Sequence, residues 1–261
     1  MGLFGNLFEK KICSVCGGEI GLLGNRKLED GNLCKNCAKK LSPWFSDRKN
    51  STVEEIKEQL AYREANRSKV AAFRTSRTFG VNTKVLLDED AGKFMVTSAR
   101  NLEDANPDVL DFSDVTGCRI DIDEKRSEVK REDAEGNNVS YNPPRYEYSY
   151  DFDVIINVNN PYFNEIRFQL NPSSVYTNDE NQVRAAFGGT KPNPENNAEY
   201  RNYKQIGEEI KEALLNVRQA VRDNAAAAAA PKTAVTCPFC GATTIPDASG
   251  CCEFCGGAVG R

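Results

Sequence analysis

Apolar and polar residues alternate through the middle of the chain, and this period of two predicts β-structure for residues 70–175. Residues 81–87 and 93–97 form one predicted hairpin around a turn at 88–92. Residues 109–122 predict one or two more strands, residues 146–158 keep one apolar face, and residues 162–170 carry another apolar series. Several strands at this spacing indicate a curved antiparallel sheet or a small barrel.

Two segments switch to helical spacing. Ser51 with Glu54, and Thr52 with Glu55, form overlapping capping boxes, and we expect a helix from there to about Arg67. A longer amphipathic helix is predicted over residues 198–222. Six alanines follow, which extend a helix well until Pro231 ends it. The polar residues 171–198, rich in Asn, Pro and Gly, predict a long loop.

Ten cysteines are the main candidates for chemistry, and eight of them fall into four C-x-x-C pairs at the two ends of the chain. Two pairs at such spacing can surround one tetrahedral Zn²⁺, with Zn–S distances of about 2.3 Å. We expect two structural zinc ions, because modules of this size cannot bury enough apolar surface to fold alone. The predicted ligands are Cys13, Cys16, Cys34, Cys37, Cys237, Cys240, Cys252 and Cys255.

Other uses of these cysteines remain open. Disulfides are disfavoured in a reducing compartment, and a thioredoxin-like motif needs a C-x-x-C at the start of a helix in a βαβ unit, which neither end predicts. Four cysteines can also hold iron. Spacing favours Cys252 over its neighbour Cys251 as a ligand, although the two could exchange. Cys118 lies in a strand pattern and is expected to be a small buried hydrophobe.

Composition narrows the classes of function. Histidine is absent from the 261 residues, which removes the usual Ser-His-Asp and Cys-His mechanisms, and we expect no enzyme. The net charge is −4, with nine Lys/Arg and five Asp/Glu in residues 1–50. No apolar run is long enough to span a bilayer, and no signal peptide is evident, so a cytoplasmic protein is expected. The apolar start, which includes Leu3, Phe4, Leu7 and Phe8, leaves membrane contact open.

Residues 12–45 resemble an uncharacterised bacterial zinc-finger family, a domain of unknown function. The likeness rests on the segments CSVCGGEIGLLG at 13–24, LEDGNLCKNC at 28–37 and LSP at 41–43. It implies a metal held by Cys13, Cys16, Cys34 and Cys37, and little else.

The middle of the chain is similar to bacterial pleckstrin-homology-like domains, through LDFSDVTG at residues 110–117 and the terminal helix with Tyr200 and Tyr203. That resemblance implies a small barrel closed by a helix, and a binding role without a catalytic motif. The first hairpin lacks the basic cluster that phosphoinositide binding would need. The tail at residues 237–257 resembles short zinc ribbons.

The predicted fold class is therefore α+β: a small PH-like antiparallel sheet or barrel closed by a helix, flanked by two zinc modules. The predicted segments are an N-terminal apolar stretch at 1–11, a Cys₄ finger at 12–46, a helix at 51–68, the PH-like domain at 69–224, an Ala-rich linker at 225–234 and a Cys₄ ribbon at 235–261. The expected function is protein interaction or scaffolding. Binding of nucleic acid through the ribbons, and peripheral membrane binding through the PH-like domain and N-terminus, are the alternatives.

Overall fold

The computed structural model describes residues 11–177, 191–229, 234–247 and 249–259. The chain divides into two compact units, one ending at Arg218 and the other beginning at Gln219. Each unit is treated by itself below. None of the helices in these described ranges is long and apolar enough to cross a membrane.

The N-terminal module is built from very short elements. Strands β1 (Lys11–Ile12) and β2 (Glu19–Ile20) pair antiparallel, as do β3 (Arg26–Lys27) and β4 (Asn32–Leu33), and helix α1 (Lys35–Ala38) follows. The turn at Asp30-Gly31 joins β3 to β4, and Cys34 caps α1.

A small core fills this module, and the following helix closes it. Leu28 and Leu33 are fully buried beside two of the cysteines, and Ile56 from the next helix packs on them. The sulfur atoms of Cys13 and Cys37 and the aliphatic core therefore share one interior.

Helix α2 (Val53–Ala72) begins where the capping box predicts. Thr52 Oγ1 accepts a hydrogen bond from the Glu55 N–H, and the Glu55 carboxylate accepts one from the Thr52 N–H, so this pair forms the box and Ser51 does not. The helix continues past the expected end at Arg67. Its last turn packs Val70 on the first sheet of the middle region, which stabilises residues that local sequence alone leaves ambiguous.

A buried polar network attaches α2 to that middle region. Arg63 Nη1 lies 2.8 Å from Asp108 Oδ1, and the two side chains are 7% and 0% exposed. Ser42, at the end of the N-terminal module, donates its hydroxyl to Asp108 Oδ2 at 2.8 Å. Arg63 Nε also donates to the carbonyl of Lys40 at 3.3 Å. One ion pair thus joins the metal module, the helix and the sheet.

An asparagine pair extends this network. Asn66 donates to Asn106 Oδ1 and to the carbonyl of Pro107, and it accepts from the N–H of Val109 at 3.0 Å. Asn106 in turn donates to the carbonyl of Arg63 at 2.7 Å. These bonds satisfy buried backbone groups at the start of a strand, which would otherwise be costly.

The first sheet is an antiparallel meander of four strands: β5 (Arg77–Gly80), β6 (Lys84–Asp88), β7 (Lys93–Thr97) and β8 (Val109–Asp111). The predicted β6–β7 hairpin is present, but β6 starts at Lys84 and not at residue 81. Gly80 has φ +89°, so the chain turns there, and the sequence did not predict β5. Helix α3 (Leu102–Ala105) connects β7 to β8.

The second sheet is dominated by one long hairpin. Strand β9 (Val115–Glu132) pairs with β10 (Asn138–Val158), and β10 also pairs with β11 (Glu165–Gln169) and β12 (Val175–Tyr176). The predicted strand at 146–158 is only the second half of β10. Strand β12 lies inside the predicted loop 171–198, of which residues 178–190 lie outside the described residues.

Helix α4 (Ala198–Ala229) covers the second sheet with its first turns. The Tyr200 ring lies 5.0 Å from Tyr150 and 5.1 Å from Phe152, and Tyr203 also contacts Phe152. Gly207 permits close approach, because a Cβ there would come within 2.7 Å of Ile120 Cγ1. The alanines continue the helix past the predicted end at residue 222, consistent with their high helix propensity.

The fold is thus mixed helix and sheet, with open antiparallel sheets. Among the described residues, no strand pairing joins the first sheet to the second. In the unit that begins at Gln219, the end of α4 precedes β13 (Val235–Thr236), β14 (Thr243–Thr244) and an antiparallel bridge between Cys251 and Ala258.

Candidate metal centres

The structure brings the cysteine pairs of the N-terminal module together. Sγ atoms of Cys13, Cys16, Cys34 and Cys37 all lie within 4.8 Å of one another. Cys13 and Cys37 are buried, whereas Cys16 is exposed at the edge of the cluster. Four sulfurs from two separate turns therefore converge on one point.

A second cluster has the same composition. Sγ atoms of Cys237, Cys240, Cys252 and Cys255 also lie within 4.8 Å of one another. The structure places Cys252 in the cluster. Its neighbour Cys251 lies outside, with its Sγ 3.9 Å from the carbonyl of Ser249.

Three of the four C-x-x-C turns share one backbone geometry, in which the first cysteine accepts a hydrogen bond from the glycine after the second cysteine. The donors are the N–H groups of Gly17, Gly241 and Gly256, at 2.8 to 2.9 Å. All three glycines have φ +71°, a left-handed conformation that favours glycine.

The fourth turn makes the equivalent backbone bond, from the Ala38 N–H to the Cys34 carbonyl at 3.0 Å, but without a left-handed residue. Cys34 caps α1, and its Sγ accepts from the Cys37 N–H at 3.4 Å. Because the chain enters a right-handed helix there, no left-handed residue is needed, and Ala38 occupies the position where the other turns have glycine.

The sulfur spacing tests whether these sites fit a metal. A tetrahedral ion with about 2.3 Å bonds to sulfur separates its ligands by about 3.8 Å. The measured Sγ–Sγ distances are 3.8 Å for Cys16–Cys34, 3.6 Å for Cys237–Cys255 and 3.7 Å for Cys240–Cys252. A disulfide would need about 2.05 Å. All ten cysteines are unbridged, so both clusters are compatible with a metal ion each.

Backbone donors favour thiolates in the first cluster. Burial opposes ionisation of Cys13, but hydrogen bonds from backbone N–H groups, including Cys34 N at 3.3 Å, outweigh it and lower the pKa of Cys13 to about 6. Burial and hydrogen bonding to the neighbouring thiols raise the pKa of Cys37 well above its ordinary value. The Cys13 thiolate forms readily, and a bound cation would favour ionisation of Cys37 as well.

In the second cluster, too, one cysteine has a lowered pKa and another has a raised pKa. Burial opposes ionisation of Cys252, but the N–H groups of Cys255 and Phe254 lower its pKa to about 7. The Gly257 N–H favours the Cys255 thiolate, yet hydrogen bonds to the other thiols raise the pKa of Cys255 to about 12. A divalent ion bound to all four sulfurs would offset the repulsion between neighbouring thiolates.

Cys118 belongs to neither cluster. It lies half-buried in β9, and burial raises its pKa to about 12 despite the positive charge of Lys211. A thiol held protonated in this way is a poor nucleophile and a poor ligand.

One phenylalanine precedes the second cysteine of each ribbon turn. The sequence predicts that Phe239 and Phe254 pack on the ribbon or on a partner, with stacking on a nucleic-acid base as the alternative. The two side chains are 70% and 67% exposed, and the Phe239 ring lies against Gly257, where a Cβ would come within 2.6 Å of it. The ribbon itself leaves both rings largely in solvent.

Comparison with known families agrees with the N-terminal site. Residues 11–59 match a family described as a domain of unknown function, DUF4428. The match contains all four cysteines of the first cluster and extends to Ile56 of α2, which closes the module's core. The comparison with curated proteins gives no significant match, and neither does the comparison with solved structures.

Proposed function

We propose that both clusters bind Zn²⁺ as structural ions, and that the protein is a non-enzymatic, cytoplasmic interaction or scaffolding protein. The observation that supports this is the convergence of eight thiol groups into two clusters of four. A bound metal ion would cross-link the two C-x-x-C turns of each cluster. Four thiolates fill the coordination shell, so no position remains for a substrate.

The middle region supports a binding role. Two consecutive antiparallel meanders, β5 to β8 and β9 to β11, followed by a helix that packs on the second, are consistent with the strand order of a PH-like domain. Such a domain presents loops and strand edges to a partner and needs no catalytic group.

Exposed apolar side chains on the ribbon favour a protein partner. Ile245, which is 49% exposed, is a third exposed apolar side chain of the ribbon besides Phe239 and Phe254. Residues 234–259 contain Asp247 and Glu253 and no Lys or Arg, so this surface lacks the positive charge that phosphate contacts require. Exposed aromatic side chains on a surface without basic residues are typical of protein interfaces and not of phosphate-binding surfaces.

A pull-down from native lysate with the full chain and with Phe239→Ser/Phe254→Ser tests the proposal. Cys251→Ser, outside the metal cluster, is the matched control. The proposal predicts that one or more proteins, retained after nuclease treatment, are captured by the wild type and the control and lost with the double variant, while metal content stays unchanged. Equal capture by all three, or capture abolished by nuclease, would contradict it.

A further inference from the structure

The turn between β2 and β3 projects two leucines into solvent. Leu22 and Leu23 are 85% and 93% exposed, and no other large hydrophobic side chain of the described residues is exposed to this degree. The turn is closed by a 2.9 Å hydrogen bond from the Gly24 N–H to the Gly21 carbonyl. Adjacent exposed leucines on a closed turn indicate a contact surface.

These leucines are not displaced core residues. The interior beneath them is already filled by Leu28 and Leu33, both 0% exposed. A Cβ on Gly24 would lie 3.4 Å from Ile20 Cγ2, which is ordinary van der Waals contact. The leucine tip, defined as residues 21–24, therefore lies outside a core that is already filled.

Positive charge follows the leucine tip directly along the chain. The Arg26 guanidinium donates to the Leu23 carbonyl at 3.4 Å, and Arg48 donates to the Lys27 carbonyl at 2.7 Å. A groove of about 530 Å³ begins one residue after the tip and is lined by four cations, Arg26, Lys27, Arg48 and Lys49.

One carboxylate, Glu29, lies among the four cations of this groove. None of the four forms an ion pair with a carboxylate in the described part of the chain. This surface could therefore bind a partner both through burial of its leucines and through attraction of its cations to negative charge.

We propose that the leucine tip inserts into an anionic membrane surface while the four cations contact the lipid phosphates. Apolar insertion and electrostatic attraction are each weak alone and sufficient together. Nucleic acid would match the cations but not the leucines, because bases stack on aromatic and guanidinium groups. Protein interfaces rely chiefly on Trp, Tyr and Arg and under-use Leu.

The sequence contains a second apolar segment, with Leu3, Phe4, Leu7 and Phe8, which was considered above for membrane contact. The experiment therefore separates this segment from the leucine tip.

Co-sedimentation of the full chain with phosphatidylcholine vesicles, with and without phosphatidylserine, tests the proposal. Binding is expected only with phosphatidylserine. Leu22→Ser/Leu23→Ser should weaken it about 100-fold, from about 1.5 kcal/mol for each leucine buried. Lys27→Gln/Lys49→Gln should weaken it about 25-fold, from roughly fivefold for each cation. Val81→Ser changes an exposed apolar residue in the turn between β5 and β6 and should have no effect.

Two further measurements complete the design. Metal content and Trp44 fluorescence should match the wild type in every variant, which shows that loss of binding is not loss of folding. A variant with serine at Leu3, Phe4, Leu7 and Phe8 should retain binding that depends on the tip. Undiminished binding after removal of the tip leucines, binding to phosphatidylcholine alone, or no vesicle binding by the wild type would overturn the proposal.

Discussion

The buried ion pair between Arg63 and Asp108 makes a sharp prediction about how the metal module is held. The charged atoms lie 2.8 Å apart, and both side chains are almost wholly buried. Asp108→Ala leaves the guanidinium buried without its carboxylate and removes the acceptor of the Ser42 hydroxyl. Loss of one partner of a buried pair costs about 3–5 kcal/mol, so we expect unfolding of this unit to become easier by that amount.

The single tryptophan is placed to report this change. The Trp44 N–H donates to the Ser42 hydroxyl at 3.2 Å, so its environment depends on the same network. Urea unfolding monitored by Trp44 fluorescence gives the free energy of unfolding of the wild type and of the variant. Release of metal to a chromophoric chelator should accelerate in parallel from the first cluster.

Two comparison variants separate the ion pair from general damage. Glu64→Ala removes an exposed ion pair with Arg67 on the same helix and should cost at most about 0.5 kcal/mol. Arg63→Met/Asp108→Leu removes both buried charges and should be more stable than Asp108→Ala, because no unpaired charge remains. The reasoning is refuted if Asp108→Ala costs less than about 1 kcal/mol, or if the double variant loses the sum of the single effects.

Two further predictions concern the sheets. Gly80→Ala should destabilise the fold by about 3 kcal/mol, because φ is +89° and a Cβ would collide with the carbonyl of Thr83. Gly92→Ala, with open space at φ +68°, should cost only about 1 kcal/mol. Equal losses of stability in thermal unfolding would contradict this. Burial opposes ionisation of Asp151, but Lys125 at 2.6 Å and neighbouring donors lower its pKa. Its stabilisation is therefore present above the ordinary Asp pKa of about 4 and lost as pH falls through the folded pKa, so Asp151→Asn should flatten the acid limb of a stability–pH curve, and an unchanged limb would count against it.

The metal clusters could be predicted from the sequence because their signal is local. A C-x-x-C turn closes over four residues, and two such turns need only meet. The start of α2 was predictable for the same reason, since Thr52 and Glu55 form the whole capping box. In each case the residues that determine the geometry lie within one turn of each other.

The contacts between α2 and the first sheet depend on residues far apart in the sequence and could not be predicted from it. Arg63 and Asp108 are 45 positions apart, and each alone resembles an ordinary solvated charge. The helix that begins at Val53 extends beyond the expected Arg67 because Val70 packs on the sheet. Tertiary contacts of this kind override local propensity.

The long β9–β10 hairpin was underestimated because its outer half is exposed. Pairing continues from the buried residues around Ile156 to Glu132 opposite Asn138, where side chains on both faces reach solvent. Such a stretch has little hydrophobic alternation to detect. A closed barrel stays a prediction, since it rests on resemblance and not on a described strand pair.

The central claim is that eight thiolates bind two zinc ions, and metal stoichiometry tests it most directly. Elemental analysis of the full chain, purified under reducing conditions without added metal, should give two zinc ions per chain. Cys237→Ser/Cys252→Ser should give one, and Cys118→Ser, outside both clusters, should still give two. Iron in place of zinc, fewer than two ions in the wild type, or no loss of metal in the double variant would contradict the account.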